Sequence, residues 1–125
     1  MKTLKVGIAN YEEMKAWTLS VARGERKIAA HEPRVWFPST ESFAKVLSSD
    51  NRKLLRVIVE HSPGSLDELE KLTGRRKSNL SRTLKTMANY GLIEIERGPR
   101  GRLMPRVTHD RIELQLPILR KEHAA

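Results

Sequence analysis

Residues 65–106 read SLDELEKLTGRRKSNLSRTLKTMANYGLIEIERGPRGRLMPR, and this stretch decides the fold. Ser65 and, three places later, Glu68 form a capping box, which predicts that a helix begins there. Gly74 follows where that helix should end, because glycine takes the left-handed backbone angles of a C-terminal cap. Three leucines at helical spacing mark the expected buried face: Leu66, Leu69 and Leu72.

A second helix is predicted over residues 76–90. Its apolar side chains have the i, i+4, i+7, i+8 spacing of a single buried stripe: Leu80, Leu84, Met87 and Ala88. With this stripe turned inward, a rotation of about 100° per residue places polar and basic side chains on the opposite face: Arg75, Ser78, Asn79, Arg82, Lys85 and Asn89. That face has no acidic residue of its own. Such side chains are of the types that contact phosphates and base edges in DNA.

A β-hairpin is predicted after the second helix. Gly91 supplies the stop, residues 92–96 partly alternate as a strand does, and residues 98–101 (GPRG) form a turn. Residues 102–107 then return as the second strand. Helix, tight turn, helix and hairpin follow one another in this order in a winged helix-turn-helix.

Positive charge is concentrated in the same stretch. Residues 74–106 contain nine Lys and Arg against only Glu94 and Glu96, a net charge of +7 out of the chain's +9. The nine are Arg75, Arg76, Lys77, Arg82, Lys85, Arg97, Arg100, Arg102 and Arg106. A basic excess confined to one helix face and one hairpin is typical of a site for a polyanion.

Residues 1–38 predict an extension of one strand and one helix. Residues 2–8 alternate as a strand, and Asn10 with Glu13 forms a second capping box. One face of the helix that follows carries Tyr11, Met14, Trp17, Thr18 and Val21. This face packs either on the domain's own core or on a second subunit or another protein. The apolar run of residues 35–37 either pairs with the first strand or fills the core.

The rest of the chain completes the predicted organisation. Two more helices are predicted over residues 39–47 and 49–61, and residues 112–116 alternate as a short strand. The predicted fold class is mainly α with small β elements (α+β), a winged helix-turn-helix with an N-terminal strand-helix extension. The predicted parts are residues 1–38 as the extension for dimerisation or partner binding, residues 39–116 as the DNA-binding domain, and residues 117–125 as a C-terminal tail.

Composition argues against several classes of function. The chain has 125 residues, the length of one domain, and no cysteine, which removes disulfides, thiol catalysis and thiolate zinc sites. No apolar run approaches the ~18 residues needed to cross a membrane, and the N-terminus lacks the apolar core of a secretory signal. We therefore expect a cytoplasmic, nucleoid-associated protein without a membrane partner.

Sequence motifs of enzymes are missing. The chain has no GxSxG, P-loop or HExxH, and its four histidines are scattered. His109 and Asp110 are neighbours on an extended segment, so their side chains point in opposite directions and do not form a catalytic pair. We expect no enzymatic activity, no metal site and no cofactor.

Three segments resemble a MarR-like winged-helix family of predicted bacterial and archaeal regulators: LSSDNRKLLRVI (47–58), SLDELEKLTGRRKSNLSRTLKTMANYGLIE (65–94) and RIELQL (111–116). Members of this family often accompany a small toxin gene and are described as antitoxins of TumE-family toxins. The resemblance implies that a helix face and a wing tip contact DNA: Arg75, Arg76, Lys77, Ser78, Asn79, Ser81, Arg82 and Lys85, with Arg100 and Arg102 at the tip. The turn GPRGR stands where the family usually has an acidic or small residue, so this wing is more basic.

These patterns predict a sequence-specific regulator that binds double-stranded DNA. It would repress transcription as a homodimer on an inverted-repeat operator, and the resemblance implies that it also acts as the antitoxin of a toxin-antitoxin pair that autoregulates its operon. Its expected partners are double-stranded DNA, a second copy of the chain and a small toxin protein. Asn79 and Arg82 are expected at base edges, because asparagine pairs geometrically with adenine and arginine with guanine.

Two alternatives stay open. One is a basic protein that binds nucleic acid without sequence preference, and the other is a ligand-sensing regulator without an antitoxin role. An aromatic content of 5% provides few platforms on which single-stranded bases stack, which counts against an RNA target.

Overall fold

The computed structural model describes residues 2–119 and has an α+β fold, as the sequence predicts. Its elements are β1 (Lys2–Ile8), α1 (Tyr11–Ala22), β2 (Val35–Phe37), α2 (Thr40–Val46), α3 (Ser49–His61), α4 (Leu66–Thr73), α5 (Lys77–Asn89), β3 (Glu94–Arg97), β4 (Leu103–Arg106) and β5 (His109–Gln115), with a short 3-10 turn at Pro99–Gly101. Of the predicted C-terminal tail, residues 117–119 lie in neither helix nor strand, and residues 120–125 are outside the described part of the chain.

The helix ends follow the capping signals of the sequence. Asn10 and Glu13 form the predicted capping box at the start of α1. The Glu13 backbone nitrogen lies 2.8 Å from Asn10 Oδ1, and the Asn10 backbone nitrogen lies 3.2 Å from Glu13 Oε1. Ser65 caps α4 by accepting from the Glu68 N–H at 3.2 Å. A capping box also requires the Glu68 carboxylate to accept from the Ser65 backbone N–H. Here the carboxylate accepts instead from the N–H of Gly64, one residue earlier, at 2.9 Å.

A parallel three-stranded sheet joins the two ends of the described chain. The strand order is β2-β1-β5, with β1 in the centre. Val6 lies opposite Val35 on one side and Leu114 on the other, so these side chains share one apolar face. Residues 35–37 thus pair with the first strand and also fill the core, which combines the two predictions left open for them.

That apolar face belongs to the same core as the helices. Leu4, Val6, Val35 and Phe37 are buried in one cluster with residues of α3, α4 and α5. The helical members are Leu54 and Ile58 of α3, Leu69 of α4, and Leu80, Leu84 and Met87 of α5. The predicted N-terminal extension is therefore a structural layer of the core that supports α5.

Phe37 connects this sheet to α2 and α5. Its ring stacks on Tyr90 at a centroid distance of 4.1 Å and meets Phe43 edge-on at 5.3 Å. Tyr90 is the C-terminal cap of α5, and Phe43 lies in α2. Such aromatic pairs contribute about 0.5–1.5 kcal/mol beyond the area that they bury. The sheet thereby holds the C-terminal end of α5.

Two details of the predicted core are wrong. Leu72 is 39% exposed, because a spacing of three residues drifts by about 60° around a helix and turns the last leucine of α4 away from the core. Leu92 and Ile93 are both buried ahead of β3, which begins only at Glu94. The bend at Gly91, whose φ is +81°, lets two consecutive side chains enter the core, which a regular strand does not allow.

The second face of the sheet is covered incompletely. Gly7 leaves space for Trp36, since a Cβ atom on Gly7 would lie 2.5 Å from the Trp36 ring. Trp17 of α1 meets Trp36 edge-on at 5.6 Å. No residue of α1 is fully buried, and Tyr11 is 73% exposed. The apolar face of α1 therefore contacts the domain through Trp17 and still exposes part of its surface.

Candidate nucleic-acid interface

The predicted apolar stripe of α5 packs into the core and sets the orientation of the helix. Leu80, Leu84 and Met87 are at most 1% exposed, and Ala88 is half-buried. Burying each of the three larger side chains contributes roughly 1.5–3 kcal/mol, so the rotation of α5 about its axis is well determined. The opposite side of α5 consequently faces solvent.

The start of α5 is tied to α4 by two carboxylates. Glu70 accepts a hydrogen bond from the Lys77 backbone N–H at 2.8 Å, and Asp67 lies 2.6 Å from the Lys77 ammonium. The hydrogen bond and charge of Lys77 lower the pKa of Asp67, and the charge of Arg102 adds to this effect. The sequence places no acidic residue on the α5 face itself. It does not predict that carboxylates of α4 bind the first residue of α5.

Six of the predicted contact residues on α5 and its N-terminal cap are exposed together: Arg76, Lys77, Ser78, Asn79, Arg82 and Lys85. Ser81, also predicted, is half-buried beside them. Among residues 2–119, the side chains of Arg76, Arg82 and Lys85 form no salt bridge. We call this surface the α5 basic face; its positive charge is not neutralised by neighbouring carboxylates, apart from the pair at Lys77.

Arg75 points inward, unlike the rest of the predicted set. Its Nε donates to Asn79 Oδ1 at 2.9 Å, and its Nη1 donates to Asn51 Oδ1 at 3.0 Å. Its Nη2 donates to Thr83 Oγ1 at 3.1 Å. The half-buried guanidinium thus cross-links α3 to α5. The expectation that Arg75 faces DNA does not agree with this geometry.

The β3–β4 hairpin presents further arginines. Its strands are antiparallel, with Arg97 opposite Leu103, and both Arg100 and Arg102 are exposed at its tip. Arg100 has φ = +62°, a left-handed conformation that costs a side-chain-bearing residue about 1–2 kcal/mol. The charge of Arg102 also helps to lower the pKa of Asp67, the carboxylate that pairs with Lys77 at the start of α5.

An open groove lies on the second face of the sheet. It has a volume of about 1350 Å³, and its walls include Met14 and Trp17 of α1, Trp36 of β2 and the segment after β5. Burial opposes the charge of Glu32 in this groove, but the hydrogen bond and charge of Arg26, 3.0 Å away, lower its pKa overall. The indole N–H of Trp36 is buried without a hydrogen-bond partner among the described residues.

Neither a metal-binding cluster nor a membrane-spanning helix is found among residues 2–119. No three His, Cys, Asp or Glu side chains in that range lie close enough together to hold a metal ion. None of the helices in it is long and apolar enough to cross a membrane.

Comparison with known proteins gives one result. The model of the family HVO_A0114 matches residues 46–114. No curated protein and no solved structure matches the chain. The matched range runs from the end of α2 to β5 and includes both the α5 basic face and the hairpin, whereas β1, α1 and β2 precede it.

Proposed function

The chain belongs to the HVO_A0114 family, and we propose that it is a MarR-like winged helix-turn-helix protein that binds double-stranded DNA and represses transcription. The observation that carries this proposal is the α5 basic face, an exposed row of hydrogen-bonding and cationic side chains above a buried apolar stripe. In a winged helix-turn-helix, α4 and α5 are the helix pair and the β3–β4 hairpin is the wing. In this role α5 enters the major groove, and Arg100 and Arg102 reach the adjacent minor groove or the backbone.

The side chains of the α5 basic face divide by what they can contact. Arg82 lies in the middle of the exposed side and has the planar fork that matches O6 and N7 of guanine. Arg76 and Lys85 flank it and are suited to phosphates, as are the hydroxyls of Ser78 and Ser81. Lys77 forms a salt bridge with Asp67 and therefore contributes less to DNA binding.

We propose that two copies pair through β5. Among residues 2–119, this seven-residue strand is bonded to β1 on one side and to no strand on the other, and an unpaired strand edge is a template for a further strand. Antiparallel pairing about a two-fold axis at Ile112 sets Arg111 of each copy opposite Glu113 of the other. Such a dimer carries two α5 helices, which suits an inverted-repeat operator.

We expect Arg82→Ala and Lys85→Ala to weaken DNA binding in different ways. Arg82→Ala should relax base preference and cost about 1–3 kcal/mol on the preferred duplex. Lys85→Ala should weaken all duplexes alike and lower the dependence of log K on log salt by about one unit. Fluorescence anisotropy on a duplex selected from a randomised library and on its scrambled version measures both effects.

Lys15→Ala is the matched control for charge, since Lys15 is exposed on α1, which covers the second face of the sheet. It should leave affinity and salt dependence unchanged. Analytical ultracentrifugation of the complex should give two chains per duplex. Equal affinity of wild type, Arg82→Ala and Lys85→Ala for both duplexes would remove α5 from the interface.

We further propose, from the family resemblance, an antitoxin role that uses the groove. Its rim includes Leu116, Ile118 and Leu119, which are 54%, 95% and 57% exposed. Large exposed apolar side chains around an open groove are typical of a protein-binding surface. The partner would be a small toxin whose apolar segment covers this rim.

The antitoxin role predicts a separation of two activities. Leu116→Asp should abolish rescue of growth when the chain is co-expressed with a small toxic protein encoded by a neighbouring gene, if the gene neighbourhood contains one, while DNA binding stays intact. Val59→Asp is the control, because Val59 is similarly exposed (46%) but lies on α3 and does not line the groove. If Leu116→Asp still rescues growth, the groove is not the toxin-binding surface.

A further inference from the structure

The hydrogen bonds of Arg75 determine which way the amide of Asn79 faces. An arginine side chain has five donors and no acceptor, so the Asn79 atom that meets Arg75 Nε must be the carbonyl oxygen. Exchanging the oxygen and nitrogen of Asn79 would set two donors against each other. The Oδ1 atom is therefore turned toward Arg75, which occupies one of its two lone pairs, and the two N–H groups of Nδ2 on the other side of the amide are the donors that this exposed side chain offers to a ligand.

The guanidinium is itself held at two more points. Asn51 accepts from Arg75 through Oδ1, and its Nδ2 donates to the Val46 carbonyl at 2.9 Å, so both ends of the Asn51 amide are in use. Thr83 accepts from Nη2 one helical turn beyond Asn79. These contacts come from the start of α3 and the middle of α5. They fix the plane of the guanidinium before any ligand binds.

We propose that Arg75 is a positioning residue that orients the amide of Asn79 so that its N–H donors read guanine in the major groove. This inference rests on the proposed DNA-binding function and specifies what one of its residues recognises. Guanine presents two acceptors, N7 and O6, which match the two N–H groups of Nδ2. Adenine presents one acceptor and one donor, and its usual pairing with asparagine requires an outward-facing Oδ1. The orientation of the Asn79 amide thus favours guanine over the adenine expected from sequence.

The test is selection of duplexes from a fully randomised library by wild type and variants, each at a temperature where circular dichroism shows it folded. Asn79→Ala should lose preference at one position of the selected motif, and that position should be guanine in the wild-type motif. Arg75→Met, which keeps the length of the side chain but has no donors, should reduce the guanine preference at the same position by about 5- to 150-fold. The other positions should keep their preferences.

Thr83→Val provides a second variant that preserves side-chain shape and removes one acceptor of the guanidinium. It should reduce preference at the Asn79 position in the same direction as Arg75→Met. Arg76→Met is the matched control, because Arg76 is the exposed neighbour and its side chain forms no hydrogen bond within residues 2–119. It should keep the motif and lower the salt dependence by about one unit.

Several outcomes would overturn the inference while leaving the proposed function intact. One is an adenine at the position lost in Asn79→Ala. A second is loss of preference at another position in Arg75→Met, which would make Arg75 a direct reader of a base. A third is an unchanged motif with a reduced salt slope in Arg75→Met, as expected of a phosphate contact. A library from which wild type enriches no sequence would overturn the proposed sequence-specific function as well.

Discussion

Leu84→Asp should abolish the cooperative thermal transition of the protein. Leu84 is 1% exposed, and together with Leu80 and Met87 it forms the buried face of α5. The substitution forfeits roughly 1.5–3 kcal/mol of apolar burial and adds a lone carboxylate, whose burial costs several kcal/mol more. A domain has about 5–15 kcal/mol of total stability, so the native state should no longer be populated. Far-UV circular dichroism during a thermal scan measures this loss.

Lys85→Asp is the control for the charge introduced at the next position. Lys85 is exposed, so this variant should melt close to wild type and bind DNA less tightly. A normal melt for Leu84→Asp would mean that the apolar stripe does not face the core, and the α5 basic face would then have no defined orientation.

Deletion of residues 1–38 should also unfold the chain. It removes β2 and the central strand β1 of the sheet, and with them the four large buried side chains that belong to the main core: Leu4, Val6, Val35 and Phe37. At roughly 1.5–3 kcal/mol for each, their loss is about as large as the whole stability of a domain of this size. Thermal melting and limited proteolysis of the truncated chain should show no protected fold.

A truncated chain that melts cooperatively within a few degrees of the full chain would show instead that residues 39–119 form an independent domain. If the expected unfolding occurs, truncation is unsuited to testing toxin binding, because it would remove DNA binding and partner binding together. Point substitutions on the rim of the groove, such as Leu116→Asp, separate the two.

The sequence predicts those features that depend on neighbouring residues. The stripe of Leu80, Leu84 and Met87 is a pattern within one helix, and the caps at Asn10 and Ser65 depend on a residue three places away. Helical periodicity and capping depend on residues that are close in sequence, so they can be recognised without knowledge of the fold. The exposed side of α5 follows directly from the buried one.

Features made by distant segments were not predictable. Leu4 lies opposite Ile112 in the sheet, and nothing local to either strand specifies that partner. Arg75 has the composition of a DNA-contacting residue, but its acceptor Asn51 lies 24 positions earlier in the chain. The pairing of Asp67 with Lys77 likewise requires the angle between α4 and α5. Such contacts depend on tertiary geometry, which the periodicity of a single element does not contain.

The central place of β1 in the sheet has a consequence for synthesis on the ribosome. Helices α3 to α5 and the hairpin are built from contacts between nearby segments, which form quickly. The first strand, by contrast, is translated long before β5, the neighbour that covers its other edge. Until residue 115 has left the exit tunnel, the nascent chain carries one open edge of β1, and a chaperone that binds extended apolar segments would meet it there.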